Sequence, residues 1–175
     1  GGDRLQDIGP CLDIIQCQTH GQCRAIAAGK ACDAVLGIDV LGPDLGLDPR
    51  VAFVSFSTFG YPVSERASKM HEAPKVLDGM KVDFEYEGEM TVDVALNPDV
   101  MAQYPFCRLS GPANILVVPA RHSASISVKL MQEMAGATVI GPILTGVTKP
   151  IQICSTNSTV NDILNMAVMA ACKVG

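Results

Sequence analysis

Asn114-Ile-Leu-Val-Val-Pro119 leads directly into a helix-forming segment, Ser123 to Ala135, that stops at Gly136. Four apolar residues in a row, with no polar alternation, read as a strand buried on both faces, the habit of a parallel sheet covered by helices. Gly136 suits a left-handed helix C-cap, and Ser123 can serve as N-cap. The unit is therefore strand then helix.

The same unit recurs on either side. Arg50-Val-Ala-Phe-Val-Ser-Phe56, bounded by Pro49 and the Ser57-Thr58-Phe59-Gly60 loop, predicts a second buried strand. Ser64 then caps a helix to about Leu77, with Ala67, Met70, Val76 and Leu77 on one face and Pro74 kinking or shortening it. Val82 to Glu87 alternates apolar and charged residues, as a half-exposed strand does. Asn97-Pro98 opens a short helix through Ala102, with Pro98 at the first helical position. Thr138 to Ile140 and Pro150 to Cys154 predict two more strands, separated by a loop at Gly141-Pro142 and Gly146. Thr159 caps a last helix, Val160 to Cys172, with Ile163, Leu164, Ala167 and Ala171 inward. This alternation predicts an α/β fold with a mostly parallel sheet. Residues 1–48 fit the pattern poorly: Ala25 to Leu36 predicts a helix weakened at Gly29, and Gly37 to Gly46 is ambiguous.

Composition narrows the function. Of 175 residues, 48% are hydrophobic, only 18% are charged, and there is no Trp. The core must come from aliphatic residues. A net charge of −5 without a Lys/Arg block argues against nucleic-acid binding. No apolar run approaches the roughly 18 residues that span a bilayer, and Gly1 to Gly9 lacks the order of a signal peptide, so an internal start is expected. Seven unevenly spaced cysteines predict reduced thiols in the cytoplasm rather than a disulfide framework.

Four places can carry chemistry. Cys17, His20 and Cys23, with Cys11 upstream, are zinc-ligand types, but the spacing is unlike a finger and no second ligand pair follows, so plain thiols are the favoured reading and no metal is expected. Asp83, Glu85, Glu87, Glu89 and Asp93 crowd acids on and after one strand; solvation at a sheet edge or a bound cation would each relieve the repulsion, and Glu89 and Asp93 fall in the loop beyond it. Arg121-His122-Ser123 stands at a strand's carboxyl end, where open α/β sheets bind ligands, although a plain N-cap is the favoured reading of Ser123. Ser155-Thr156-Asn157-Ser158-Thr159 before a helix makes an anion-binding turn or a cap, with Asp162 in the first helical turn. Residue types alone stop at an α/β domain with a polar rim.

Several segments, in order, resemble phosphate acetyltransferases: Gly88 to Ala95, Ser110 to Pro119, Lys129-Leu-Met-Gln132, Gly141 to Gly146, Lys149-Pro150 and Ser158 to Ile163. Tyr104 to Asn114, Phe84 to Met90 and Arg50 to Ser57 resemble in particular the phosphotransacetylase-like C-terminal domain of large bacterial NADP-dependent malic enzymes. The resemblance covers about Leu47 to Ala171. It implies a three-layer α/β/α architecture of the isocitrate/isopropylmalate dehydrogenase type, with residues 49–175 the C-terminal subdomain and 1–48 a poorly matched N-terminal segment.

The family passes an acyl group between CoA and phosphate. By resemblance Ser155 and Asp162 occupy its catalytic Ser and Asp positions, and Thr156, Asn157, Ser158, Arg121, His122, Glu89 and Asp93 are ligand-binding candidates. The Arg that follows the Ser in the family is Thr156 here, with Arg121 or Arg108 as possible replacements. A hydroxyl cannot give the bidentate, charge-assisted hydrogen bonds of a guanidinium, so transferase activity is expected to be lost. The resemblance implies a regulatory domain that senses acetyl-CoA and forms homo-oligomers, in a chain whose other domains hold NADP and a divalent metal and decarboxylate malate. An active phosphate acetyl- or butyryltransferase is the alternative.

Overall fold

The computed structural model describes residues 13–19, 22–28, 48–144 and 149–172. In chain order its elements are β1 (Asp13–Thr19), β2 (Gln22–Ala28), β3 (Arg50–Val54), α1 (Glu65–Asp78), β4 (Glu85–Met90), α2 (Val92–Leu96), α3 (Pro98–Met101), β5 (Ile115–Val118), α4 (Arg121–Ala135), β6 (Thr138–Ile143) and α5 (Val160–Cys172). The six strands form one sheet in the order β4-β3-β5-β2-β1-β6. Pairings β3–β4, β3–β5 and β2–β5 are parallel, whereas β1 runs antiparallel to both β2 and β6.

The central strands explain the layers. Side chains alternate across a strand, so Val51, Phe53, Ile115 and Val117 face one way and Ala52, Val54, Leu116 and Val118 the other. The first set packs with Met70, Ala73 and Leu77 of α1, with Ile143, and with partly buried Met169 of α5. The second packs with Val94, Ala95, Met101, Ala124 and Val128 of α2, α3 and α4. Helices thus cover both faces, giving three α/β/α layers. Phe53, Leu77 and Val117 are at most 1% exposed, and burying each large aliphatic or aromatic side chain contributes about 1.5–3 kcal/mol.

Several helix ends fall where capping chemistry places them. The Ser64 hydroxyl accepts from Arg66 N at 3.2 Å, Asn97 Oδ1 accepts from Asp99 N at 3.0 Å with Pro98 next, and Gly136 closes α4 at φ 61°. Other expectations need correction. Helix α4 starts at Arg121 on an Ala120 cap without a side-chain bond, so Ser123 lies inside it. Pro74 sits within α1 without ending it, and Val76 is 47% exposed while Ala73 and Pro74 are buried. Strand β4 lies about three residues later than the alternation at 82–87 suggests. Residues 150–154 form no strand. In α5 the inward residue is Met166, whereas Ile163, Leu164, Ala167 and Ala171 are exposed.

The expected helix at 25–36 is contradicted at its start, because residues 25–28 belong to β2. Residues 29–36, the ambiguous 37–46 stretch, Cys11 and His20 lie outside the described residues. Cys17 and Cys23 sit on adjacent strands, where Gln18 pairs with Cys23 and Cys17 with Arg24. Among the described residues no helix is long and apolar enough to cross a membrane.

Candidate functional site

A cavity of about 350 Å³ opens between α4, β6 and the start of α5. One wall is the α4 face carrying Ser125, Val128, Lys129 and Gln132, spaced so that all four share a side of the helix. Val139 to Pro142 of β6 and Asn165 and Met166 of α5 continue the lining. The remaining wall is the turn before α5, which contributes Cys154, Ser155, Asn157 and Ser158, followed by Asp162.

That turn is held by its own polar groups. Ser158 N donates to Ser155 O at 3.1 Å, and the Ser155 hydroxyl donates to Asn157 Oδ1. Thr159 and Asp162 then form a reciprocal cap. The Thr159 N–H and hydroxyl both donate to Asp162 Oδ2 at 2.8 Å, and Asp162 N donates back to Thr159 Oγ1 at 3.3 Å. This capping box satisfies otherwise orphaned donors at the helix start. The Thr159 backbone N–H, and then its hydroxyl, hold the Asp162 carboxyl below its ordinary value.

The structure therefore brings Ser155, Asn157, Ser158 and Asp162 to one cavity. Thr156, Arg121, His122, Glu89 and Asp93 are not among its lining residues. Arg121 and His122 open α4 and are exposed. Asp93 lies in the first turn of α2, where the Thr91 hydroxyl is the main influence lowering its carboxyl.

Glu89 is 0% exposed. Its Oε1 accepts from the Ser57 hydroxyl at 2.7 Å and from Gly60 N at 2.9 Å, while Oε2 lies 2.7 Å from His71 Nδ1. Burial by itself would raise its carboxyl, but these bonds outweigh burial and hold it below the ordinary value. Glu89 is thus an internal anchor that ties the 57–60 loop and α1 to the end of β4.

Of the acidic run at this edge of the sheet, Asp83 and Asp93 are exposed and Glu85 is partly so, as solvation predicts, whereas Glu87 and Glu89 are buried and hydrogen-bonded. Glu87 is 7% exposed and pairs with Arg108. Glu85 accepts from Ser110 N at 2.8 Å and from its hydroxyl at 2.9 Å. Arg108 also reaches Asp78 Oδ1 at 2.7 Å and stacks 4.7 Å from the Tyr86 ring centroid. Its guanidinium is committed there, so it cannot stand in for an arginine beside Ser155. Among the described residues no three His, Cys, Asp or Glu side chains are grouped to hold a metal.

Residue types alone missed Lys129 and Gln132 as site residues, although their i, i+3 spacing on a helix beside the 155–162 turn was a usable signal. They also missed Ser57 and His71, whose partner Glu89 is distant in sequence.

The phosphate acetyl/butaryl transferase family model matches residues 42–171. An NADP-dependent malic enzyme from Rhizobium meliloti is 56% identical over 135 residues, covering 77% of this chain and 18% of that protein. A phosphate acetyltransferase from Staphylococcus aureus is 32% identical over 133 residues, covering 73% of this chain and 40% of that protein. In fold, the chain is similar to a solved phosphotransacetylase from Staphylococcus aureus, with a TM-score of 0.84 at 24% identity, over 95% of this chain and 55% of that one. The chain thus spans less than a fifth of the malic enzyme and about two fifths of the transferase that it matches.

Proposed function

The chain belongs to the phosphate acetyl/butaryl transferase family, and on that premise we propose that it is a regulatory, oligomer-forming module of a cytoplasmic NADP-dependent malic enzyme that senses acetyl-CoA. The observation that carries this reading is the cavity at the start of α5. Ser155 and Asp162 line it together, but among the described residues no arginine does. Thr156 stands where the family's arginine is expected, and Arg108 is held by Glu87 and Asp78.

Acyl exchange with phosphate needs a base for the CoA thiol and concentrated positive charge on the phosphoryl oxygens. Losing one such electrostatic group costs about 10²–10³ in rate. Asp162 is also a poor base as it stands, because one oxygen is occupied by Thr159 and its carboxyl is held low. Binding asks less than turnover: a cavity with hydroxyls, an amide and apolar walls can hold an acyl thioester without transferring it.

In this reading NADP, the divalent metal and the decarboxylation of malate to pyruvate belong to other domains of the parent chain. Oligomer formation is supported by the side of α5 bearing Ile163, Leu164 and Val168, each more than half exposed, since such apolar stripes favour burial against a partner. The test is to titrate acetyl-CoA into the intact parent protein while following malate oxidation. A saturable change in rate supports the sensor, and a rate indifferent to acetyl-CoA that nevertheless binds contradicts it.

A second reading, an active phosphate acetyl- or butyryltransferase, is favoured by one specific feature: Lys129 puts a cation into the same cavity. Substantial acetyl phosphate formation would establish that reading instead.

A further inference from the structure

Resting on the reading of this chain as one module of a longer polypeptide, we propose that the aromatic face at the carboxyl end of β3 is a docking surface for the rest of that polypeptide. The face is built from two loops. Phe59 of the loop after β3 meets Phe106 at 4.8 Å and Tyr104 at 5.3 Å between ring centroids, and Tyr104 meets Phe106 at 6.1 Å. These are the edge and tilted contacts that aromatic rings prefer. Phe106 nevertheless stays more than half exposed, as do Phe56, Tyr61 and Val63 in the loop itself.

The loop is held too firmly for its exposed rings to fold inward. Thr58 and Tyr61 exchange backbone hydrogen bonds at 2.8 and 3.1 Å, and Phe59 N donates to Glu89 O at 2.7 Å. Buried Glu89 takes the Ser57 hydroxyl and Gly60 N, and the Thr58 hydroxyl bonds that of Thr91. Phe59 is fixed at φ 49°, a left-handed conformation that a bulky residue rarely adopts. A surface already set in place loses little conformational freedom when it is covered, which favours docking.

Composition indicates the occupant. Residues 56–64 and 102–107 contain no charged side chain, and depletion of charge with enrichment of aromatics marks the buried centre of an interface, most strongly a permanent one. An anionic ligand would find no countercharge on these loops. The α5 stripe offered above for contact between copies belongs elsewhere, since α5 packs through Met169 on one side of the sheet and Phe59 and Tyr104 pack on the other. A permanent neighbour is available: 95% of this chain matches only 55% of the solved phosphotransacetylase, so nearly half of that fold lies outside it. An uncharged, apolar segment of the same polypeptide is therefore the partner that this face fits.

The test replaces Tyr61, 81% exposed, with the photo-crosslinking residue benzoylphenylalanine in the intact parent protein. The substitution keeps an aromatic ring and disturbs no core contact. Irradiation followed by peptide mass spectrometry should show a cross-link within a single polypeptide, from position 61 to residues outside this chain. A product of doubled mass assigns the face to a second copy and overturns the proposal. No cross-link, or one confined to residues of this chain, also overturns it. Each of these results leaves the acetyl-CoA reading standing, because that reading is decided by malate oxidation. A native protein no longer than this chain overturns both.

Discussion

Arg108 and Glu87 form a paired fork at the edge of the sheet: Arg108 Nε donates to Glu87 Oε2 at 3.0 Å and Nη2 to Oε1 at 3.2 Å. The Arg108 backbone N–H adds a third bond to Oε2 at 3.2 Å. This settles where two conspicuous sequence features go. The central acid of β4, Glu87, is neutralised by Arg108, and one of the few arginines is committed to that task.

Removing that arginine leaves Glu87 with little exposure and no countercharge. Arg108→Ala should destabilise the fold by about 2 kcal/mol, less than the loss from a fully buried pair because Arg108 itself is half-exposed. Chemical denaturation measures the loss. Acetyl-CoA affinity should not change, since Arg108 is not part of the cavity.

Glu89 gives a pH signature. Its folded carboxyl is depressed below 4.5, so its stabilising contribution is complete above about pH 4.5 and drains away as pH falls through the folded value. Glu89→Gln should lower stability at neutral pH, because an amide has one acceptor oxygen where Glu89 offers two, one to Ser57 and Gly60 and the other to His71, and should flatten the acid limb of a plot of unfolding midpoint against pH. An unchanged acid limb would show that other carboxylates govern it.

Gly88 has φ of 152°, and a Cβ built there would lie 2.7 Å from both the Cβ and the O of Phe53. Both the backbone and the packing therefore demand glycine. Gly88→Ala should cost about 2 kcal/mol or more through overpacking against β3, read as a lower thermal midpoint.

Thr159→Ala removes half of the capping box. A loss of about 1 kcal/mol is expected for a deleted N-cap hydroxyl. The Asp162 carboxyl should move back up toward its ordinary value of 3.8, which carbon-detected NMR titration of the side chain resolves.

Much of this architecture was legible because local chemistry and packing agree. The runs at 50–54 and 115–118 are buried on both faces, so no alternation was needed to recognise them, and Ser64, Asn97-Pro98 and Gly136 mark helix ends by capping. Strand β4 was misplaced because its charged residues are satisfied by Arg108, Ser110 and Ser57 from distant positions, so alternation there does not report exposure. Helix α5 is apolar on nearly every side, which left its inward face undetermined until Met166 and Met169 met the sheet. The hairpin of β1 and β2 carries no strong turn or alternation signal. Of the site, Ser155 and Asp162 were visible as polar groups at a helix start, but their meeting with Lys129 depends on how α4 and α5 flank β6, a tertiary fact that no spacing along the chain reveals.

Under the proposed function, the cavity at the start of α5 holds an acyl thioester but does not exchange it with phosphate, for want of a guanidinium beside Ser155. Acetyl phosphate formation from acetyl-CoA and orthophosphate, measured on the intact parent protein alongside Thr156→Arg, tests it most directly. Negligible product is expected from the wild type, with a gain of about 10²–10³ once arginine is restored. Wild-type turnover at an ordinary enzymatic rate, on the order of 1 s⁻¹ or faster, would contradict it.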